Sequence, residues 1–269
     1  MREIAFEGGQ ISYDVTEPPA TAASSDVAIV FVHGIGADRT IWTEWRTALS
    51  PRMRTIALDL PGHGRSFRPG AALDWDIVGL GNLVHAVAAD AGAHRILLVG
   101  ESIGGTICLA AAAGHVHVAG VVTCSTAHIG GSLAHVQGWR AMIDERGLSG
   151  WSQDMLEKRF FPGQATPTQT EWFDATQQAS DAETILQLAN ILVGLDFTDR
   201  LNEIACPVLL IHPDSSPFIP LEIPVALKER LASGEFMVIP HARHGIACSH
   251  AALCADAAID FMDRHGLTD

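Results

Sequence analysis

The chain has 269 residues, 48% of them hydrophobic and 18% charged, which is enough apolar material for one sizeable core. Its formal net charge of −14 argues against nucleic acid or an anionic membrane surface as a partner. With no readable leader peptide, no apolar run approaching the ~20 residues of a membrane span, and five cysteines that form no CxxC pair, the expectation is a cytoplasmic protein with reduced thiols.

In chain order, residues 2–16 alternate loosely around Gly8-Gly9 and predict an edge hairpin, and Pro18 to Asp26 reads as a breaker-rich connection. Ala28-Ile29-Val30-Phe31-Val32 predicts a buried strand running into His33-Gly34-Ile35-Gly36. A helix is expected around Trp42 to Leu49, then a strand from Thr55 to Leu58 that ends at Asp59-Leu60-Pro61-Gly62-His63-Gly64-Arg65-Ser66. Ile77, Leu80, Val84 and Val87 fall on one side of a helix between Asp76 and Ala91. Ile96 to Val99 is a strand, a helix runs through Ala113, and Val118 to Thr123 is the next buried strand. The rhythm resumes at Pro207 to Ile211 and Phe236 to Ile239, before a last helix from about His250 to His265.

Short, uniformly apolar strands separated by helices predict an α/β fold, with a mostly parallel, doubly wound sheet covered on both faces. Between Ala127 and Glu203 no core strand is expected, only helical candidates carrying Trp139, Trp151, Phe160, Trp172 and Phe173. Residues 127–203 are therefore read as an inserted helical cap, and residues 1–126 with 204–269 as the core.

The chemistry centres on Gly100-Glu101-Ser102-Ile103-Gly104, placed between a buried strand and an alanine-rich helix. A serine at the tip of such a tight turn is a candidate nucleophile, because glycines on either side let strand and helix approach while the hydroxyl stays exposed. A serine hydroxyl needs a base, and His244, in the loop after the last strand, is favoured over its neighbour His241. Loops leaving the carboxyl ends of parallel strands open on one crevice. A carboxylate should orient the histidine. Asp214 is the nearest one after strand 207–211, with Glu222 as the alternative acid and a turn cap as the plain reading of Asp214. The backbone amides of Ile35 and Ile103 are the expected oxyanion donors. His33 is expected to organise a loop rather than act as a base.

These pieces, in this order and spacing, closely resemble the α/β-hydrolase family: His33-Gly34-Ile35-Gly36, Asp59 to Ser66, Gly100 to Gly105, and His244-Gly245. The resemblance covers nearly the whole chain and implies the fold just described, with Ser102 and His244 matching the family's catalytic serine and histidine. The acid departs from the pattern. Family members commonly show Gly-x-x-Asp-x-x-x-Pro after the corresponding strand, and here Pro213, Ser216 and Pro220 align with its Gly, Asp and Pro.

The leading reading is acyl transfer to water on a small to medium, largely apolar ester or lactone. A carbon–carbon bond hydrolase of a vinylogous diketone and a non-enzymatic small-molecule receptor are the alternatives. Arg140 and Arg159 are possible carboxylate partners for the former, with ordinary surface charge as their plain reading. No cofactor and no metal is expected, because His115-Val116-His117 lacks a third ligand and the glycine-rich loops lack nucleotide fingerprints. The expected partner is a small-molecule substrate, and both monomer and homodimer are open.

Overall fold

One eight-stranded sheet organises the computed structural model, which describes residues 1–21, 25–72, 75–131, 133 and 136–268. Strands β1 (Arg2–Phe6) and β2 (Gly9–Thr16) form the expected hairpin, and β2 runs antiparallel to β4 (Thr55–Leu58). From β4 onward every pairing is parallel, in the order β4, β3 (Val27–Val32), β5 (Arg95–Glu101), β6 (Val118–Cys124), β7 (Val208–Pro213) and β8 (Gly234–Ile239). The centre of the Pro18 to Asp26 connection lies outside the described residues.

Every residue of β3, β6 and β7 is buried, as parallel strands covered on both faces require. The two-residue period sorts their side chains into two layers. Val30, Val32, Ile96 and Leu98 meet α2 (Ile77–Asp90) and α3 (Ile103–Ala112) on one face. Ile29, Phe31, Leu97 and Val99 meet α1 (Thr43–Leu49) and α9 (Ala251–Arg264) on the other.

Between β6 and β7 the chain forms α4 (Trp139–Arg159), α5 (Pro167–Ala179) and α6 (Ala182–Val193). α4 breaks at Gly147, whose φ of 66° is non-helical. A reciprocal Thr166/Gln169 capping box starts α5, and the Asp181 side chain caps α6. Among the described residues of this stretch the sole β pairing is an isolated bridge between Ile129 and Asp196.

Two further helices, α7 (Glu222–Arg230) and α8 (Ile246–Ser249), were not expected from the sequence. α7 carries Pro224 and buries only that residue and Leu227, too few apolar positions to register as a helical period. Proline is tolerated there because first-turn amides have no helical acceptor. Among the described residues no helix is long and apolar enough to cross a membrane, and all five cysteines are free.

Two loops at the carboxyl ends of β3 and β4 interlock through neutral histidines. His33 Nε2 accepts from the Leu60 amide at 2.9 Å while its Nδ1–H donates to the Gly34 carbonyl. His63 Nε2 accepts from the Gly36 amide at 3.0 Å while its Nδ1–H donates to the Pro61 carbonyl. Each ring is thereby held in one tautomer, and His33 has the loop-organising role expected of it. Asp59 completes the lock, accepting from the Arg39 and Arg65 amides at 2.8 and 2.9 Å and pairing with the Arg39 guanidinium.

Burial pushes His33 down to about 4 and His63 down to about 3, from an ordinary value of 6.5. Below pH ~6.5 the unfolded chain takes up protons that the folded chain refuses. Stability from these rings is therefore whole above that pH and is lost as pH falls towards ~4. Urea unfolding should show a midpoint that drops steadily between about pH 7 and pH 4.5, with a shallower drop in His63→Gln.

Candidate active site

Ser102 occupies the single residue between β5 and α3, with φ 56° and ψ −123°. That conformation is costly for a residue with a Cβ and persists only where its surroundings hold it. Here the Ser102 amide donates to the Cys124 carbonyl at 2.9 Å. A Cβ at Gly100 would lie 2.5 Å from the Gly104 backbone, and one at Gly104 would run into the Val32 carbonyl oxygen. Only glycine at both sites lets α3 start this close to the sheet.

His244 reaches the serine from the loop after β8, with Nε2 3.1 Å from Ser102 Oγ. The Ser125 hydroxyl donates to the His244 carbonyl at 2.7 Å, and the Gly245 amide donates to the Arg159 carbonyl at 3.0 Å, which anchors the loop on both sides. The histidine is buried and forms an edge contact with Phe218.

The partner of His244 differs from expectation. Its Nδ1 lies 3.1 Å from Ser216 Oγ, which also accepts from the Ile219 amide. Asp214 is exposed, and its carboxylate accepts from the His241 and Ala242 amides and the Ser215 hydroxyl. It caps the turn that carries His244 and does not touch the imidazole. Glu222 is exposed in the first turn of α7. His241 is also exposed, at φ 53°. Neither acid named from the sequence is thus the partner at Nδ1, because the loop after β7 brings the side chain of Ser216, not that of Asp214, to the ring.

A hydroxyl at that position has two consequences. A carboxylate only accepts and would force the proton onto Nδ1, whereas a hydroxyl can donate or accept and leaves the tautomer less strictly set. It also brings no charge to favour the imidazolium. Burial, the Arg159 charge and His212 accordingly hold His244 well below the usual histidine range.

Arg159, at the end of α4, is no surface charge. Its Nη1 lies 3.1 Å from Glu101 Oε1 and its Nη2 donates to the Ile35 carbonyl at 2.7 Å, both partners being buried. Burial pushes the Glu101 carboxyl up while Arg159 opposes it. This pair ties the inserted helices to the residue before Ser102 and to the Ile35 loop. A glutamate inside an otherwise apolar, buried strand was the sequence signal that a buried cation must face it. Arg140, by contrast, is exposed and pairs with Glu183.

Ile35, read from the sequence with Ile103 as an oxyanion donor, lies on the loop after β3, and Ile103 is the first residue of α3. Among the described residues neither amide donates a hydrogen bond. A narrow cleft joins Ile35, Ser102 and His244 to Trp139, Met155, Ala189 and Leu192 of the inserted helices and to Phe218 and Ile219. Among the described residues, Arg159 is the one charged side chain in a wall that is otherwise mainly apolar. The sole group of three metal-binding side chains among the described residues, His85, His115 and His117, lies elsewhere.

Replacing Arg159 with Met should leave Glu101 buried without a charged partner and cost about 3–5 kcal/mol of stability. In denaturant titrations, the double variant with Glu101→Gln should recover a large part of that loss.

Residues 29–257 match the model of the alpha/beta hydrolase family. The pimeloyl-(acyl-carrier protein) methyl ester esterase of Pectobacterium carotovorum subsp. carotovorum is 25% identical over 256 residues, covering 90% of this chain and 96% of that protein. The solved enol-lactonase of Burkholderia xenovorans superposes with a TM-score of 0.87 at 20% identity, covering 97% of this chain and all of that one. A thermophilic esterase from Thermogutta terrifontis superposes with a TM-score of 0.85 at 20% identity, covering 98% and 99% of the two chains.

Proposed function

Because the chain belongs to the alpha/beta hydrolase family, we propose that it is a serine hydrolase that cleaves a small to medium, largely apolar carboxylic ester or lactone through an acyl-enzyme. The observation that carries this reading is the 3.1 Å approach of His244 Nε2 to Ser102 Oγ in a mainly apolar cleft. The esterases and the lactonase among its relatives and structural neighbours support the same bond class.

Ser102 Oγ attacks the carbonyl carbon as its proton passes to His244 Nε2, and the carbonyl oxygen gains negative charge that the Ile35 and Ile103 amides meet. Collapse expels the alkoxide, which takes the proton from His244. Water then repeats the cycle on the acyl-enzyme and frees the acid. Ser216 accepts the Nδ1–H in the productive tautomer, and the inserted helices serve as a cap whose underside, Trp139, Met155 and Leu192, packs the acyl group. Asp214 keeps the His244 turn in place.

Intact-protein mass spectrometry after a small fluorophosphonate, with a short-chain ester and lactone panel, tests the reading. One adduct per chain that disappears in Ser102→Ala, with turnover falling at least ~10³-fold, is the expected result. A well-folded protein that neither labels nor turns over would overturn it and favour the receptor reading.

The neutral partner makes a separate, signed prediction. A base must be unprotonated, so the acid limb of kcat/KM should lie below pH 6.5, the ordinary value from which His244 is displaced. Ser216→Asp places a carboxylate at Nδ1 and favours the imidazolium, so that limb should move to higher pH and turnover near neutrality should rise about tenfold or more. Asp214→Asn should cost less than about tenfold, since its contacts are with backbone amides.

A further inference from the structure

His85, on α2, is brought by tertiary packing against His115 and His117 in the short turn between α3 and β6. One ligand nitrogen from each ring falls within 4.8 Å of the others. Ser102 follows the carboxyl end of β5, whereas His115 and His117 precede the amino end of the parallel β6. The cluster is therefore at the opposite end of the sheet from the cleft.

Three features make it more than crowding. His85 Nε2–H donates to the Ala111 carbonyl at 2.8 Å, which leaves Nδ1 as a lone pair turned towards the other rings. A metal-binding histidine is oriented in this way, by a hydrogen bond from its other nitrogen. His117 Nε2 lies 3.1 Å from that Nδ1, close to the ~3.3 Å edge between two nitrogens that each sit 2.0–2.1 Å from a tetrahedral ion. The turn is also held, since the His115 amide donates to Ala112 and the Val118 amide to the His115 carbonyl. Val116, between the two histidines, is 96% exposed and turns away from the cluster.

We propose that His85, His115 and His117 form a binding site for one divalent transition-metal ion of the zinc type, separate from the acyl-transfer chemistry. His85 supplies Nδ1 and His117 supplies Nε2. The exposed His115 swings from its tilted stack on His85, at a centroid distance of 4.3 Å, to supply the third nitrogen. Water completes the tetrahedron from the solvent side. The proton that His117 Nε2 donates to His85 in the metal-free protein moves to His117 Nδ1, so that neutral imidazoles bind the ion. Three neutral imidazoles suit zinc, nickel or copper and do not suit calcium or magnesium, which take oxygen ligands.

Tag-free protein stripped with a chelator and titrated with Zn²⁺ near pH 7.5 against a chromophoric competitor should bind one ion per chain. His115→Ala and His117→Ala should each weaken that binding at least ~tenfold, and the thermal midpoint should rise with Zn²⁺ in the parent but not in the double variant. Because His115 is exposed, its replacement should leave the metal-free thermal midpoint and any ester turnover unchanged. Absence of binding in the parent, or one-to-one binding that persists in the double variant, would overturn the assignment. Both readouts are independent of ester turnover.

Discussion

The start of α3 against the sheet is the contact on which the candidate site depends. Gly104 lies beneath the Val32 carbonyl and Gly100 against the Gly104 backbone, with no space for a Cβ at either. That approach forces Ser102 into its left-handed conformation and lifts its hydroxyl clear of the helix. It also leaves the Ile103 amide, first in its helix, without an acceptor among the described residues. The proposed nucleophile and one proposed oxyanion donor thus follow from a single steric fact.

Around that contact the fold sets two different electrostatic devices. The first is interlocked and neutral: His33 and His63 each accept one loop amide and donate to one carbonyl, fixing the Gly34-Ile35-Gly36 turn without charge. The second is ionic, with Arg159 joining Glu101 and the Ile35 carbonyl below the cleft. Burial first, and then this nearby charge, disfavour the His244 imidazolium. The usual counterweight, a carboxylate at Nδ1, is a hydroxyl in this chain. Burial and the nearby guanidinium both favour the neutral imidazole, and in the proposed mechanism proton transfer from Ser102 proceeds without a compensating negative charge.

The inserted helices show how composition misleads when read alone. Their tryptophans pointed correctly to an apolar wall, and Trp139 lines the cleft. A buried cation beside Ser102 comes from the same segment, yet Arg159 read as an ordinary surface residue because its partner lies 58 positions away. Helix α7 escaped notice for a related reason, having too few buried positions to impose a period.

Local chemistry determined what the sequence could disclose. Uniformly apolar strands imply a parallel sheet covered on both faces, and glycines around Ser102 imply a tight strand-to-helix turn. A histidine after the last strand must share the crevice at the carboxyl ends. Each of these depends on residues that are neighbours in the chain or on a rule of sheet topology. The partner of His244, the Glu101–Arg159 pair and the meeting of His85 with His115 and His117 depend on side-chain direction and on contacts between distant elements. A displacement of two residues along the loop after β7 was enough to send Asp214 to backbone amides and Ser216 to the imidazole. Only packing in three dimensions decides which of two nearby side chains points inward.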